Sequence, residues 1–256
     1  MMRLEDVSIV SREQRAEGLF ALTLKSPEVA KATRPGQFLN IRIGNSPTPL
    51  LRRPFSVSRT DGDFLEILFN IVGRGTEILA SKQPGDRLNI LGPLGVPFRT
   101  AGNYDLAVIV AGGLGVAPFP MLTGVLRQSG KKVETLLGAR TGAQVTQKHL
   151  LNAQVATDDG SSGFHGTVVQ LLEQYWNKEN PRNAKIFGCG PTRMMKALSD
   201  FARIRRIECE LSLEGDMACG VGICQGCPVE RTSGEKKYSL VCVEGPTFNS
   251  NDVVLG

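Results

Sequence analysis

The chain has 256 residues, 41% of them hydrophobic and 21% charged, which is enough length and apolar content for more than one globular core. Its 30 Lys and Arg against 25 Asp and Glu leave a net charge of +5, mild and dispersed, so no nucleic-acid footprint is expected. The longest uncharged apolar stretch, 106–122, is interrupted by Gly112, Gly113, Gly115, Pro118 and Pro120, which excludes it as a membrane-spanning helix.

Residues 1–99 read as all-β. Short β-rich runs at 37–43, 55–58 and 64–71 are separated by Pro, Gly and Asp, and the expected outcome is a small closed antiparallel barrel. Arg52-Arg53-Pro54-Phe55-Ser56 stands at the start of a strand. An arginine fork there suits a flavin pyrophosphate, while the aromatic ring and the serine hydroxyl suit the isoalloxazine. Gly73-Arg74-Gly75-Thr76 opens a helical stretch at 77–81, and the N–H groups at a helix N-terminus favour a diphosphate. A buried arginine and a capped helix are the alternative reading of the same residues.

From Tyr104 the pattern changes to alternating strand and helix, so residues 100–206 are expected to form a Rossmann-like α/β domain. Strands are expected at 106–111, 132–138 and 185–188, and helices through 128, at 168–174 and at 191–204. After the first strand comes Gly113-Leu114-Gly115-Val116-Ala117-Pro118, a Gly-x-Gly-x-x-Pro variant of the dinucleotide turn in which Gly113 and Gly115 let backbone approach a pyrophosphate. Thr157-Asp158-Asp159-Gly160 and Gly188-Cys189-Gly190-Pro191 follow strands, where ligands gather in such sheets. Asp158 and Asp159 can equally be turn residues, and Cys189 a core thiol. The basic run at 203–206 reads as a helix end.

Residues 207–256 hold Cys219, Cys224, Cys227 and Cys242 at the spacing C-x4-C-x2-C-x14-C, the first three in a glycine-studded loop. This is the plant-type spacing for a [2Fe–2S] cluster. Four-cysteine zinc sites usually show two separated pairs instead. Disulfides are a third possibility, disfavoured because Met1-Met2-Arg3-Leu4-Glu5-Asp6 has no apolar leader run and the expected compartment is cytoplasmic.

Taken together, these segments resemble the ferredoxin-reductase superfamily and, within it, the electron-transfer subunits of class 1B dihydroorotate dehydrogenases. The resemblance is carried by Leu51-Arg52-Arg53-Pro54-Phe55-Ser56, Leu91-Gly92-Pro93-Leu94-Gly95, the glycine turn, Asp158-Asp159-Gly160-Ser161, Cys189-Gly190-Pro191, Ser212-Leu213-Glu214, Met217-Ala218-Cys219-Gly220 and Cys242-Val243-Glu244-Gly245-Pro246. Related subunits serving ferredoxin or sulfide dehydrogenase tend to carry Asp at position 219. The chain departs from the family pattern at Phe69-Asn70, where Tyr-Arg is common, at Arg193, where proline is usual, and at Thr247, where valine is usual.

The resemblance implies a flavin-binding barrel at 1–99, a nucleotide-binding domain at 100–206 and a small cluster module at 207–256. It implies FAD on Arg53, Pro54, Phe55, Ser56, Asn70, Ile71, Val72, Gly75 and Thr76, and NAD on Gly113, Gly115, Asp158 and Asp159, with Cys189 at the flavin–nicotinamide junction and the four cysteines on iron. Arg140 stands where an NADP 2′-phosphate is another reading. The implied partner is an FMN-containing catalytic subunit in a heterotetramer, with electrons running from dihydroorotate through FMN, cluster and FAD to NAD+ in pyrimidine biosynthesis. The rivals are a reductase subunit serving ferredoxin, sulfide dehydrogenase or hydrogenase, a single-chain oxygenase reductase, and a zinc-stabilised nucleotide-binding module.

Overall fold

The computed structural model describes residues 2–44 and 48–256. Six strands, β1 (Arg3–Ala16), β2 (Leu19–Lys25), β3 (Phe38–Arg42), β4 (Arg53–Asp61), β5 (Phe64–Asn70) and β6 (Arg87–Leu94), close into an antiparallel barrel in the order β1-β2-β5-β4-β3-β6. Strand β6 shows why: Leu88, Ile90, Gly92 and Leu94 are buried in alternation with more exposed neighbours, the period of a sheet with one apolar face. Val7, Leu22, Ile41, Val57 and Ile67 fill the interior. Two short helices, α1 (Pro27–Ala32) and α2 (Arg74–Ser81), sit in its connections, and α2 begins three residues before the stretch expected from sequence.

The second half is a seven-stranded sheet. Strands β7 (Leu106–Gly112), β8 (Lys132–Ala139), β9 (Ala153–Thr157), β10 (Phe164–His165), β11 (Ala184–Cys189) and β12 (Glu208–Ser212) run parallel in the order β10-β9-β8-β7-β11-β12. Strand β7 lies in the middle, and Ala107 through Ala111 are all buried, which is why it reads as an unbroken apolar run. Helices α3 (Phe119–Gln128), α4 (Val168–Glu179) and α5 (Thr192–Arg205) flank the sheet. The glycine turn does not lead directly into α3; a 3-10 turn at Gly113–Val116 intervenes and Pro118 then caps the helix. Helix α4 continues five residues past the expected 174 because Trp176 buries against Phe201 on α5, with ring centroids 5.5 Å apart. Helix α5 ends as expected in the basic run, with Arg206 in the left-handed conformation that closes it.

The sheet does not stop at residue 206. Strand β12 pairs with β11, and a C-terminal strand (Thr247–Asn249), named β15 after the small hairpin of β13 (Pro228–Glu230) and β14 (Tyr238–Leu240), pairs antiparallel with β12. The expected 206/207 boundary therefore falls inside one sheet. The linker 95–105 is held from several sides. Thr247 Oγ1 donates to the Val96 carbonyl at 2.9 Å, and Phe98 N–H donates to the Pro35 carbonyl at 2.9 Å. Buried Lys185 and Glu210 grip Arg99, Lys185 Nζ donating to its carbonyl at 2.8 Å and Glu210 accepting from its N–H at 2.8 Å. Among the described residues no helix is long and apolar enough to cross a membrane.

Candidate functional site

In the sheet, β8, β9 and β10 lie on one side of β7 and β11 and β12 on the other, so the order in which parallel strands are added reverses between β7 and β11. Such a switch point leaves a crevice outside the carboxyl ends of the strands. A cleft of about 590 Å³ opens there, lined by Gly112, Gly113, Gly115, Ala139, Arg140 and Asp158 among others. A second cleft of about 480 Å³ opens beside it on the barrel. Both volumes fall in the roughly 300–1,000 Å³ range of cofactor sites. The clefts share Asn70, Leu114 and Glu214, so a ligand in one meets a ligand in the other at those residues.

The barrel cleft collects Arg53, Pro54, Phe55, Ser56, Asn70, Val72, Gly75 and Thr76. Phe55 is buried and meets Phe69 edge-on at 5.9 Å. The two adjacent arginines divide the work. Arg52 is structural, donating to the Asn40 and Asn89 carbonyls at 3.1 and 3.0 Å and to the Asn89 side chain. Arg53 folds over the Leu51 carbonyl at 2.8 Å, and its Nε lies 3.6 Å from where a Cβ on Gly75 would stand. It thus lies against the first turn of α2, where unpaired N–H groups collect. The Thr76 hydroxyl braces that turn: its Oγ1 accepts from Val72 N–H at 2.9 Å and donates to the Gly73 carbonyl at 2.9 Å. Ile71, between Asn70 and Val72 of the barrel cleft, is itself 46% exposed and is not among the residues that line either cleft.

In the sheet cleft the two turn glycines differ. Gly113 has φ +54° and open space around its Cβ position. A Cβ on Gly115 would stand 2.3 Å from the Cys189 carbonyl oxygen, so this glycine is dictated by the close approach of the turn to the end of β11. Asp158 lines the cleft; Asp159 does not, and its carboxylate accepts from Ser161 N–H at 2.9 Å and Ser161 Oγ at 2.6 Å. Those bonds hold Asp159 below the usual aspartate range. It is a turn residue, for which sequence alone left both readings open.

Cys189 lines the barrel cleft beside Ser212, its register partner on β12. Burial pushes its thiol well above the ordinary range, so it is a neutral packing and contact group, not a thiolate. The sequence pattern gives Glu214 no role. It opens onto both clefts, and the surrounding protein raises its carboxyl pKa by desolvation. Only its place after β12, at the meeting of the clefts, singles it out.

The cysteine loop leaves the barrel cleft at Gly215 and Met217. Cys219 is two residues further on, so its Cα lies within about 7 Å of that of Met217. Asn40 of the barrel donates to the Cys219 carbonyl at 2.9 Å, and a side chain on Gly220 would collide with that amide. The thiols neighbour one another in two pairs, Cys219 with Cys224 and Cys227 with Cys242. N–H groups of Val221 and Cys224 point at the Cys219 sulfur, both at 3.4 Å, and lower its pKa to about 6. Among the described residues no three His, Cys, Asp or Glu converge closely enough for one ion. All four cysteines are free, and a paired donor set with inward N–H groups fits a two-iron cluster, which takes two thiolates on each iron.

The cluster segment and the whole chain both match known proteins. Residues 214–254 match the family described as the iron-sulfur cluster binding domain of dihydroorotate dehydrogenase B. The electron transfer subunit of dihydroorotate dehydrogenase B (NAD(+)) from Desulforamulus reducens is 38% identical, over 99% of this chain and 99% of its own. The corresponding subunit from Geobacillus thermodenitrificans is 38% identical over 100% of both.

The chain belongs to the family of dihydroorotate dehydrogenase B electron transfer subunits.

Family membership and fold agree. A solved structure of an NADH-dependent reduced ferredoxin-NADP oxidoreductase, described in connection with flavin-based electron bifurcation, aligns with TM-score 0.86 and 30% identity, covering 97% of this chain and 90% of that one. A ferredoxin NADP+ reductase from Neisseria gonorrhoeae with bound FAD and NADP, 17% identical with TM-score 0.65 over 80% of this chain and 91% of that one, shares the fold.

Proposed function

We propose that this chain carries electrons from an FMN-containing dihydroorotate dehydrogenase subunit, through a [2Fe–2S] cluster and FAD, to NAD+. The observation that carries this reading is the order of the three sites. The cysteine loop leaves the barrel cleft at Met217, and that cleft meets the sheet cleft at Asn70, Leu114 and Glu214. FAD bound in the barrel cleft would supply hydride exchange with a nicotinamide and one-electron exchange with a cluster.

The chain's own residues bind, orient and insulate. Arg53 and the first turn of α2 hold the flavin diphosphate, Phe55 and Ser56 line the ring, and Gly113 gives the dinucleotide pyrophosphate an open approach. Asp158, at the end of β9, accepts a ribose hydroxyl. Neutral Cys189 and Leu114 keep water from the junction. Cys219, Cys224, Cys227 and Cys242 ligate the irons, while Asn40 ties their loop to the barrel. The functional division is a barrel at 1–99, a nucleotide domain at 100–206 and a cluster module at 207–256, the last contributing β12 and β15 to the nucleotide sheet. The assembly is a heterotetramer of two chains of each kind.

The test is co-purification with an FMN-containing chain followed by a dihydroorotate:NAD+ assay of the pair. NADH formation by the pair and by neither chain alone is the expected result. Absence of FAD and iron from the anaerobically reconstituted chain would overturn the reading. A ferredoxin-serving reductase subunit is the competing assignment, favoured by the TM-score of 0.86 to the ferredoxin-NADP oxidoreductase. Turnover with ferredoxin but not with the FMN chain would select it.

A further inference from the structure

Strand β3 stands between the barrel cleft and the cysteine loop. Leu39 and Ile41 are fully buried inside the barrel, so the alternating Phe38 and Asn40 face outward. Their register partners on β4 are Ser56 and Pro54, which line the barrel cleft. Phe38 lines that cleft as well, and it belongs to the same buried core as Cys227 and Cys242. One face of one strand therefore borders both the flavin site and the cysteine module.

Asn40 makes the contact with the loop. It is 1% exposed, and its Nδ2 donates to the Cys219 carbonyl at 2.9 Å across 179 positions of sequence. Its own carbonyl accepts from Arg52 Nη1 at 3.1 Å, and the same Nη1 donates to the Asn89 carbonyl at 3.0 Å, so the strand behind the amide is held. The loop comes as close as the amide allows: Gly220 has φ +71°, and a Cβ there would stand 2.5 Å from Asn40 Nδ2. The peptide held in this way leads into Val221, whose N–H points at the Cys219 sulfur at 3.4 Å. Fixing the Cys219 carbonyl therefore also aims a donor at the Cys219 thiol. Asn40 Oδ1 is buried and has no hydrogen-bond partner among the described residues. A buried acceptor left unpaired carries a desolvation cost that an apolar side chain of the same size would avoid. Packing alone does not account for an asparagine at this place.

We propose that Asn40 is the positioning residue that holds the cluster against the flavin barrel, and thereby sets both the cluster's reduction potential and its exchange of electrons with the flavin. The inference rests on the electron-transfer reading above. No bond forms or breaks at Asn40: one electron leaves the cluster as one enters the flavin, or the reverse. The amide acts by geometry, and by presenting the positive end of an N–H dipole to a loop that carries more negative charge when the cluster is reduced.

One mixing experiment separates this role from general support of the barrel. NADH delivers electrons to FAD without passing Asn40, and the reduced FAD then passes them to the cluster. Asn40→Leu keeps the size of the side chain without its donor, and Asn40→Asp keeps its shape with an acceptor in the donor's place. In the chain loaded with FAD and cluster, both are expected to slow the second phase, cluster bleaching, about 10–100-fold relative to flavin reduction. Iron loss to a chelator is expected to accelerate by a similar factor, and the midpoint potential followed by EPR is expected to fall. Equal slowing of the two phases, an unchanged ratio, or a wild-type potential and rate of iron loss overturns the proposal. If neither variant retains FAD, Gly220→Ala, which presses on the same amide from the loop, decides by the same three measurements. Iron and flavin contents of the wild-type chain test the underlying reading separately, because a fully loaded Asn40→Leu chain with wild-type behaviour refutes the role of Asn40 alone.

Discussion

Gly115→Ala distinguishes a ligand-binding glycine from a packing glycine. An added Cβ would stand 2.3 Å from the Cys189 carbonyl oxygen, 2.5 Å from its carbonyl carbon and 2.7 Å from Gly190 Cα. Ordinary contact therefore requires a movement of about 1 Å. Strand β11 cannot yield easily, because Cys189 is paired with Ala111 on one side and Ser212 on the other. The glycine turn must move instead, taking Leu114 and the junction of the two clefts with it. Overpacking of this kind costs about 1–3 kcal/mol, or about 2–12 °C in Tm for a chain of this length. A misplacement of about 1 Å lowers hydride transfer about 100-fold. Differential scanning of the FAD-loaded variant and stopped-flow reduction by NADH measure the two effects. An unchanged Tm with weaker NADH binding alone would refute the packing argument. Gly113→Ala is the control: at φ +54° with nothing within 4 Å, it costs about 1–2 kcal/mol of backbone strain and leaves the junction in place.

Cys224→Ser, in the exposed part of the loop, is expected to abolish cluster absorbance and most bound iron; wild-type iron content would remove Cys224 from the ligand set. Arg53→Ala should release FAD on dialysis, and full flavin occupancy afterwards would contradict its place at the diphosphate. Lys185→Met leaves Glu210 buried without its cation, removing contacts of 2.9 Å to Glu210 and 2.7 Å to Glu208. A loss of about 3–5 kcal/mol is expected in chemical denaturation, largely recovered by K185M/E210L, and a loss below about 1 kcal/mol would show the pair to be dispensable. The raised pKa of Glu214 means that the folded chain binds more protons than the unfolded chain just above pH 4.5. Its contribution to stability therefore falls as pH rises through that window, and in the cofactor-free chain E214Q should flatten this part of the stability profile. An unaltered profile would show that the carboxyl titrates normally.

Much of the site is legible in short segments because local chemistry writes it there. The cysteine spacing, Arg53-Pro54-Phe55-Ser56 and the apolar strand before the glycine turn each place their groups within a few residues. Where sequence left two readings open, the answer lay in side-chain geometry: Asp159 binds Ser161 and the Thr76 hydroxyl braces its own turn. The helix expected at 168–174 runs on to 179, its last turn held by Trp176 on Phe201, a contact between two helices.

The amino-acid sequence by itself determined the alternation of elements, the spacing of the four cysteines and the family, because periodicity and residue spacing survive without a partner surface. Only the tertiary structure decided which glycine packs and which borders open space, which arginine holds the barrel, and that Asn70, Leu114 and Glu214 line both clefts. Those three are separated by 44 and 100 positions in the chain. Their meeting depends on barrel and sheet being held in one orientation by the linker at Arg99, a relation no local pattern encodes.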